Sequence, residues 1–348
     1  MTALRVLICE DSRTYAAALG RVLGYDGDIA IEGVCATAEE AVSALPRVRP
    51  DLLTMDVGLP GMGGIEAISE IMSTHPVPIL VLSVHVSQGN EMAAAARAAG
   101  ALEVIAKDDL DVLNPAGEAA GALRQRVRIL GRARVIRHLR AGLGGVPGAA
   151  GGHGKARRVS VIGMCASVGG PHALRDVLGR LPADYPIPIL VVQHIAAGFT
   201  DGLAQWLDSA IPSPVALAVH GAPATPGVWV APEGAHLRLS APGMLILDSD
   251  TSAGQHRPSA DVLLRSIAEA AGRAGVAVVL SGMGKDGAAG AAAVRRAGGL
   301  AMAQDERSSA VFGMPKSAID LGVTIVLSPE GIAACLLGLT HERAASPR

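Results

Sequence analysis

Aromatic residues are scarce in this chain: two Phe, two Trp and three Tyr among 348 residues. Single-stranded nucleic acid is gripped by stacking bases on aromatic faces, so a chain this poor in them is not built for that task. An excess of charge of one sign is also missing. Thirty basic and 32 acidic residues leave a formal net charge of −2, which excludes a wholly basic or wholly acidic solvating chain. The cysteines Cys9, Cys35, Cys165 and Cys335 lie far apart with no CxxC pairing, and Cys9, Cys35 and Cys335 sit in apolar surroundings expected of reduced core residues. No run approaches about 18 uncharged apolar residues, and the apolar start of MTALRVLICEDS is too short for a signal sequence. A soluble, cytoplasmic protein with no direct membrane insertion is expected.

What is present is apolar residue in regular alternation. Half the residues are hydrophobic and 18% are charged, and the length suits about two domains. Near-continuous apolar runs at 6–9, 31–36, 52–55, 79–82 and 104–106 read as buried parallel strands. Helical patterns at 13–23, 38–45 and 64–72 separate them, which predicts a doubly wound (βα)5 unit. A second alternation follows, with strands expected at 159–164, 187–193, 276–280, 300–303 and 324–327. Helices are expected there at 172–179, 200–209, 260–274 and 288–297. The Pro/Gly-rich stretch 212–248 reads as short strands and turns at 228–231, 236–239 and 244–247.

Between the two units, residues 119–158 carry nine Arg and one Lys but no acid. This stretch reads as a basic helix end followed by a Gly-rich linker. It is either a solvated helix face or a contact for an acidic partner surface; without aromatics, zinc-ligand spacing or a helix-turn-helix it gives no nucleic-acid site. The expected organisation is therefore α/β throughout: domain 1–120, joint 121–157, and a larger domain 158–345 with a β-rich insertion, each domain a doubly wound parallel sheet.

In open parallel sheets, function collects at the carboxyl ends of strands. Those ends in the first unit carry Glu10 and Asp11, then Asp56, then Ser83, then Lys107. Each alone is a plausible cap or surface residue. Together, three carboxylates in one crevice repel by about 4 kcal/mol per close pair at an effective dielectric near 20. A hard cation such as Mg²⁺ relieves that repulsion. A lysine and a hydroxyl facing the same place suit the oxygens of a phosphoryl group, so the set implies phosphoryl transfer to an aspartate.

The stretches CEDS, MDVGLPGMGG, VLS and IAKD resemble the receiver domain of two-component response regulators. The resemblance implies Asp56 as phosphoacceptor, and Glu10, Asp11, Asp56 and the Gly58 carbonyl around Mg²⁺. It further implies Ser83 and Lys107 as phosphoryl contacts and a histidine kinase as phosphodonor. Three positions depart from that pattern: Glu10 stands where Asp is common, Asp108 replaces the usual Pro, and Val104 replaces an aromatic switch residue.

In the second unit the strand ends carry Ser167 in CASVGGPHAL, His194 after PIPILVVQ, and Asp286 in LSGMGKDGAAG. Read singly, they are an N-cap serine, a structural histidine and an N-cap aspartate. Read together, they supply a nucleophile, a base that takes its proton, and a carboxylate that orients the base. Cys165 occupies the first glycine position of G-x-S-x-G, and the order Ser, His, Asp differs from the common hydrolase orders. Met283 lies between glycines, where its amide can face a ligand. No HExxH or HxE…CxxC pattern offers a metal route, so no esterase cofactor is expected.

The stretches ASVGGP, VVQHIAAGFTDGLA, RPSADVLLRS, LSGMGKDGAAG and AQDERSSAVFGMPKSAI resemble the catalytic domain of the CheB protein-glutamate methylesterases. That resemblance implies Ser167 as nucleophile, His194 as general base, Asp286 as its orienter and the Met283 amide as an oxyanion donor. It implies hydrolysis of glutamate methyl esters, with deamidation of glutamines, on the cytoplasmic helices of chemoreceptors. Cys165 and Val168 differ from the Gly and Thr common around the family serine. Two readings compete with it: a response regulator whose second domain only binds a partner or nucleic acid, and a hydrolase for a non-chemotactic ester or amide.

Overall fold

The computed structural model describes residues 3–59, 61–83, 89–132, 159–249 and 256–344. Most of the Gly-rich joint predicted between the units lies outside them. The first unit runs β1 (Leu4–Cys9), α1 (Arg13–Gly24), β2 (Ile29–Cys35), α2 (Ala38–Val48), β3 (Leu52–Asp56), α3 (Gly64–Thr74), β4 (Ile79–Ser83), α4 (Gly89–Ala99), β5 (Glu103–Ala106) and α5 (Glu118–Leu130). The strands are parallel in the order β2-β1-β3-β4-β5. Because the order reverses beside β1, a crevice opens between the carboxyl ends of β1 and β3. Strands β3 and β4 are buried at every position, which is why they read as unbroken apolar runs. Side-chain caps start the first two helices: Ser12 accepts from the Tyr15 amide and Thr37 from the Glu40 amide.

The second unit runs β6 (Val161–Ala166), α6 (Gly170–Leu178), β7 (Ile189–Gln193), α7 (Thr200–Ala210), β8 (Val215–Leu217), β9 (Val228–Val230), β10 (His236–Ser240), β11 (Met244–Asp248), α8 (Ala260–Ala271), β12 (Gly275–Val279), α9 (Ala288–Arg296), β13 (Leu300–Gln304), α10 (Met314–Asp320), β14 (Ile325–Leu327) and α11 (Pro329–Ala344). Seven strands form one parallel sheet, β14-β13-β12-β6-β7-β9-β8. Apolar clusters cover both faces of it.

The stretch expected as a β-rich insertion divides. β8 and β9 join the main sheet, and only β10 and β11 form a separate antiparallel hairpin. β8 carried no signal in the sequence because it is three residues long and partly exposed throughout. Helices α10 and α11 were also unforeseen. Each has proline in its first turn, where the missing N–H costs nothing, so the breaker marks a start rather than an end.

The units touch at the carboxyl end of the second sheet, where α4 packs on α7. Phe199, 1% exposed, joins the apolar cluster of Ala93, Ala96 and Val104 from the first unit. Val168 and Ala310 pack against the other cluster of that unit, which contains Leu102 and Ile105.

Candidate active site and phosphorylation pocket

Ser167 follows β6, His194 follows β7, and Asp286 lies past β12, so three neighbouring strands deliver the predicted triad to one crevice. His194 Nε2 lies 2.9 Å from Asp286 Oδ2. A carboxylate can only accept, so Nε2 carries the proton and Nδ1 is left as the accepting nitrogen. No hydrogen bond joins Ser167 to His194 among the described residues. The Ser167 loop and the Met283 loop lie against each other: a Cβ on Gly282 would come within 2.8 Å of Ser167 Cβ, so only glycine allows that approach. The amides of Val168 and Met283 donate to no described residue, and Met283 is partly exposed. Two free N–H groups beside a serine are the donors a developing oxyanion needs.

Asp286 is held far more completely than its neighbours. Its Oδ1 accepts from Ser259 Oγ at 2.9 Å, the Asp261 amide at 2.9 Å and the Gly287 amide at 3.0 Å. Its Oδ2 also accepts from the Ala260 amide at 2.8 Å. The carboxylate thus sits on the N-terminus of α8, where free amides and the helix dipole favour negative charge. Burial opposes ionisation of Asp286, but the bonds from His194, Asp261 and Ala260 outweigh it and hold its pKa far below the usual carboxylate range. The support continues outward, since His236 Nδ1, on β10, accepts from the Ser259 amide at 3.1 Å. On the open side the His256 ring stacks on His194, with centroids 4.5 Å apart and planes at 26°. Burial, then the neighbouring His194, lowers the His256 pKa despite the opposing field of Asp286.

Ser259, His256 and the Val168 amide were not singled out in the sequence. The site partners of Ser259 and His256 lie more than 20 positions away in the chain, and the Val168 amide is a backbone group, so no local spacing marks them. Cys165, standing at the family glycine, is fully buried with its thiol pushed well up by that burial. It is a packing residue.

In the first unit, Lys107 Nζ donates to Glu10 Oε2 at 2.6 Å and Asp56 Oδ2 at 2.7 Å. The Gly58 amide donates to Asp56 Oδ1 at 2.9 Å. Carboxylate oxygens of Glu10, Asp11 and Asp56 come within 4.8 Å of one another, a hard-oxygen set suited to Mg²⁺. Burial raises the Glu10 pKa although Lys107 opposes it, and the same two acids hold Lys107 charged against its own burial. Tyr15 lies over Lys107, 4.4 Å from Nζ to the ring centre. Ser83 is buried at the end of β4, paired with Ala106 beside Lys107, and makes no hydrogen bond to Asp56 or Lys107 among the described residues.

Residues 162–336 match the family model described as CheB methylesterase, and residues 6–115 match that of the response regulator receiver domain. The chain belongs to the CheB methylesterase family. It is 40% identical over 335 residues to a protein-glutamate methylesterase/protein-glutamine glutaminase of Myxococcus xanthus, covering 94% of this chain and 92% of that one. A protein of the same description from Anaeromyxobacter dehalogenans is 41% identical, with 97% of each chain covered. The crystal structure of the Thermotoga maritima CheB methylesterase catalytic domain is similar over 52% of this chain and 98% of that one, at 39% identity and a TM-score of 0.50. No helix among the described residues is long and apolar enough to cross a membrane.

The receiver covers the CheB crevice. A cavity of about 30 Å³ is bounded by Arg97, Leu102, Glu103 and Val104 on the receiver side. Ser167, Val168, Gln193 and His194 bound it on the esterase side. That volume is enough for a water molecule and far too small for a polypeptide segment.

Proposed function

We propose that this chain hydrolyses glutamate methyl esters on chemoreceptor cytoplasmic helices, with glutamine deamidation there as a second reaction, and that phosphorylation of its receiver releases the site. The observation that carries this reading is the His194–Asp286 bond beside Ser167 at three adjacent strand ends.

His194 Nδ1 takes the Ser167 hydroxyl proton as Oγ attacks the ester carbonyl carbon, forming a C–O bond. The carbonyl oxygen becomes an oxyanion received by the Val168 and Met283 amides. Asp286 fixes the tautomer and supports the imidazolium. Collapse breaks the bond to methoxide, which leaves as methanol with the proton from His194. Water, deprotonated by the same nitrogen, then attacks the acyl-enzyme and restores Ser167, leaving a glutamate carboxylate. An amide follows the same course with ammonia as the leaving group.

In the receiver, Asp56 accepts the phosphoryl group from a histidine kinase, and Lys107 and Ser83 hold its oxygens. Glu10, Asp11, Asp56 and the Gly58 carbonyl would hold Mg²⁺, which when bound neutralises charge on the transferred group. Unphosphorylated, the receiver leaves only the water-sized cavity over Ser167, so a bulky helical substrate is kept out. A change from 10% to 90% open requires roughly 2.6 kcal/mol, within the range of ordinary allosteric coupling. The reaction is placed in the cytoplasm, where the receptor helices and kinase are.

The test is methanol release from methylated receptors, with and without acetyl phosphate and Mg²⁺. Release that rises with acetyl phosphate is expected. No release in either condition overturns the esterase reading.

A further inference from the structure

We infer that Gln193 is a positioning residue for the esterase, aiming the oxyanion-binding amide and the general base with one side chain; the inference rests on the hydrolase reading above. Gln193 is the last residue of β7 and 4% exposed. Its Nε2 donates to the carbonyl oxygen of Ser167 at 2.7 Å and to that of His194 at 2.8 Å. Both amide protons are used, and they tie the peptide after the nucleophile to the peptide after the base.

The first of these bonds sets a direction. The Ser167–Val168 peptide is trans, so its C=O and its N–H point opposite ways in one plane. The carbonyl is held by Gln193 Nε2 and by the Gly170 amide at 2.9 Å. Fixing it fixes the Val168 N–H on the far side, the group free to receive an oxyanion. The second bond completes the hold on His194, whose own amide donates to the Ala166 carbonyl at 2.9 Å.

The other end of the side chain shows that donation is its task. Gln193 Oε1 is buried with no partner among the described residues. It lies against α6 so closely that a Cβ on Gly170 would stand 2.1 Å from it. Turning the amide over would press two carbonyl oxygens onto a third, so the orientation follows from the neighbours. A buried orphan acceptor is unfavourable, and it accompanies the double donor.

The oxyanion is absent from the bound ester and develops on the way to the tetrahedral intermediate, so misaiming its donor lowers kcat rather than substrate binding. The experiment uses the full chain, phosphorylated with acetyl phosphate and Mg²⁺, with methylated receptor as substrate. Gln193→Met keeps the length and removes both donors. Its kcat should fall about ten- to a hundredfold, less than the roughly 10²–10³ of losing an oxyanion donor outright, with KM within about twofold.

Gln193→Glu gives a readout that packing alone does not move. Between two carbonyls, with burial raising its pKa, its carboxyl donates one hydrogen bond when protonated and repels both carbonyls when ionised. Its kcat relative to wild type should therefore rise as pH falls from 8 to 6. This comparison lies within one folded protein and carries the test even if the Met variant does not fold. An active wild type with a Met variant unchanged in kcat, or a Glu ratio flat with pH, overturns the inference alone. A wild type that releases no methanol overturns the esterase reading and this inference together.

Discussion

The Arg97 guanidinium lies 5.5 Å from the centre of the Phe199 ring, so a receiver cation is seated on an esterase aromatic. Arg97 is 3% exposed, and its guanidinium makes no hydrogen bond to another described residue. Burial pushes its pKa down to about 10 although Glu103 opposes the shift. Glu103 is itself engaged by Arg126, so the cluster of two arginines and one glutamate carries an excess positive charge. A desolvated cation–π contact is worth about 2 kcal/mol, whereas an incompletely paired buried ion costs several kcal/mol. On these magnitudes the cost exceeds the gain, so Arg97 is expected to loosen the closed state.

Two substitutions at that cluster should therefore act in opposite directions. Arg97→Met keeps a flexible apolar contact with Phe199 and should lower methanol release by the unphosphorylated chain severalfold. Glu103→Gln adds to the uncompensated charge and should raise it severalfold. Labelling of Asp56 by acetyl phosphate should be the same in both, which checks the receiver. Faster release from Arg97→Met would mean that the ring contact holds the seal instead.

Ser167→Ala should reduce methanol release about 10⁶-fold with the fold retained, because no other side chain can form the acyl-enzyme. Asp286→Asn should leave a trace, about 10³–10⁴-fold below wild type, since serine and oxyanion donors remain. Ordinary turnover by the alanine variant would show that Ser167 is not the nucleophile.

Asp286 should also matter to stability. Its depressed pKa contributes stability that is fully present above the unfolded value near 3.9 and is lost as pH falls through the folded value. The contribution is therefore constant from pH 5 to 8 and disappears only in strong acid. Asp286→Ala leaves the Ala260, Asp261 and Gly287 amides and the Ser259 hydroxyl without their acceptor. A loss of about 2–3 kcal/mol follows from a few such orphans, measurable by urea unfolding at pH 7. The difference from wild type should shrink below pH 4; a constant difference down to pH 2 would contradict the assigned ionisation.

Asp56→Asn should abolish labelling by acetyl phosphate and the accompanying rise in methanol release, leaving the basal rate. Lys107→Ala removes the cation that bridges Glu10 and Asp56, so it should weaken the response to phosphorylation rather than basal hydrolysis. Labelling that persists in Asp56→Asn would place the phosphoryl group elsewhere.

Much of this molecule is legible in its sequence. Buried parallel strands must be apolar at successive positions, so LLTMD and ILVVQ declare themselves, and whatever polar residue follows such a run sits at a functional edge. That reasoning alone reached Glu10, Asp11, Asp56, Ser83 and Lys107 in one unit and Ser167, His194 and Asp286 in the other. Elements not named in advance include the Ala-rich α4, the three-residue β8, and helices α10 and α11 with proline in the first turn.

Tertiary structure alone decided how those residues are held and what covers them. Asp286 is ionised and aimed because Ser259, Ala260 and Asp261, 25–27 positions earlier, bring the N-terminus of α8 onto its oxygens. Gln193 looks like the polar end of a strand until its amide is seen between the carbonyls of Ser167 and His194. No sequence pattern singles out Arg97, yet it is buried against Phe199 from another domain. Periodicity records which face of an element is apolar, because burial is a property of each residue in turn. Hydrogen-bond partners and interdomain contacts are properties of pairs distant in the chain, and only the folded geometry selects among them.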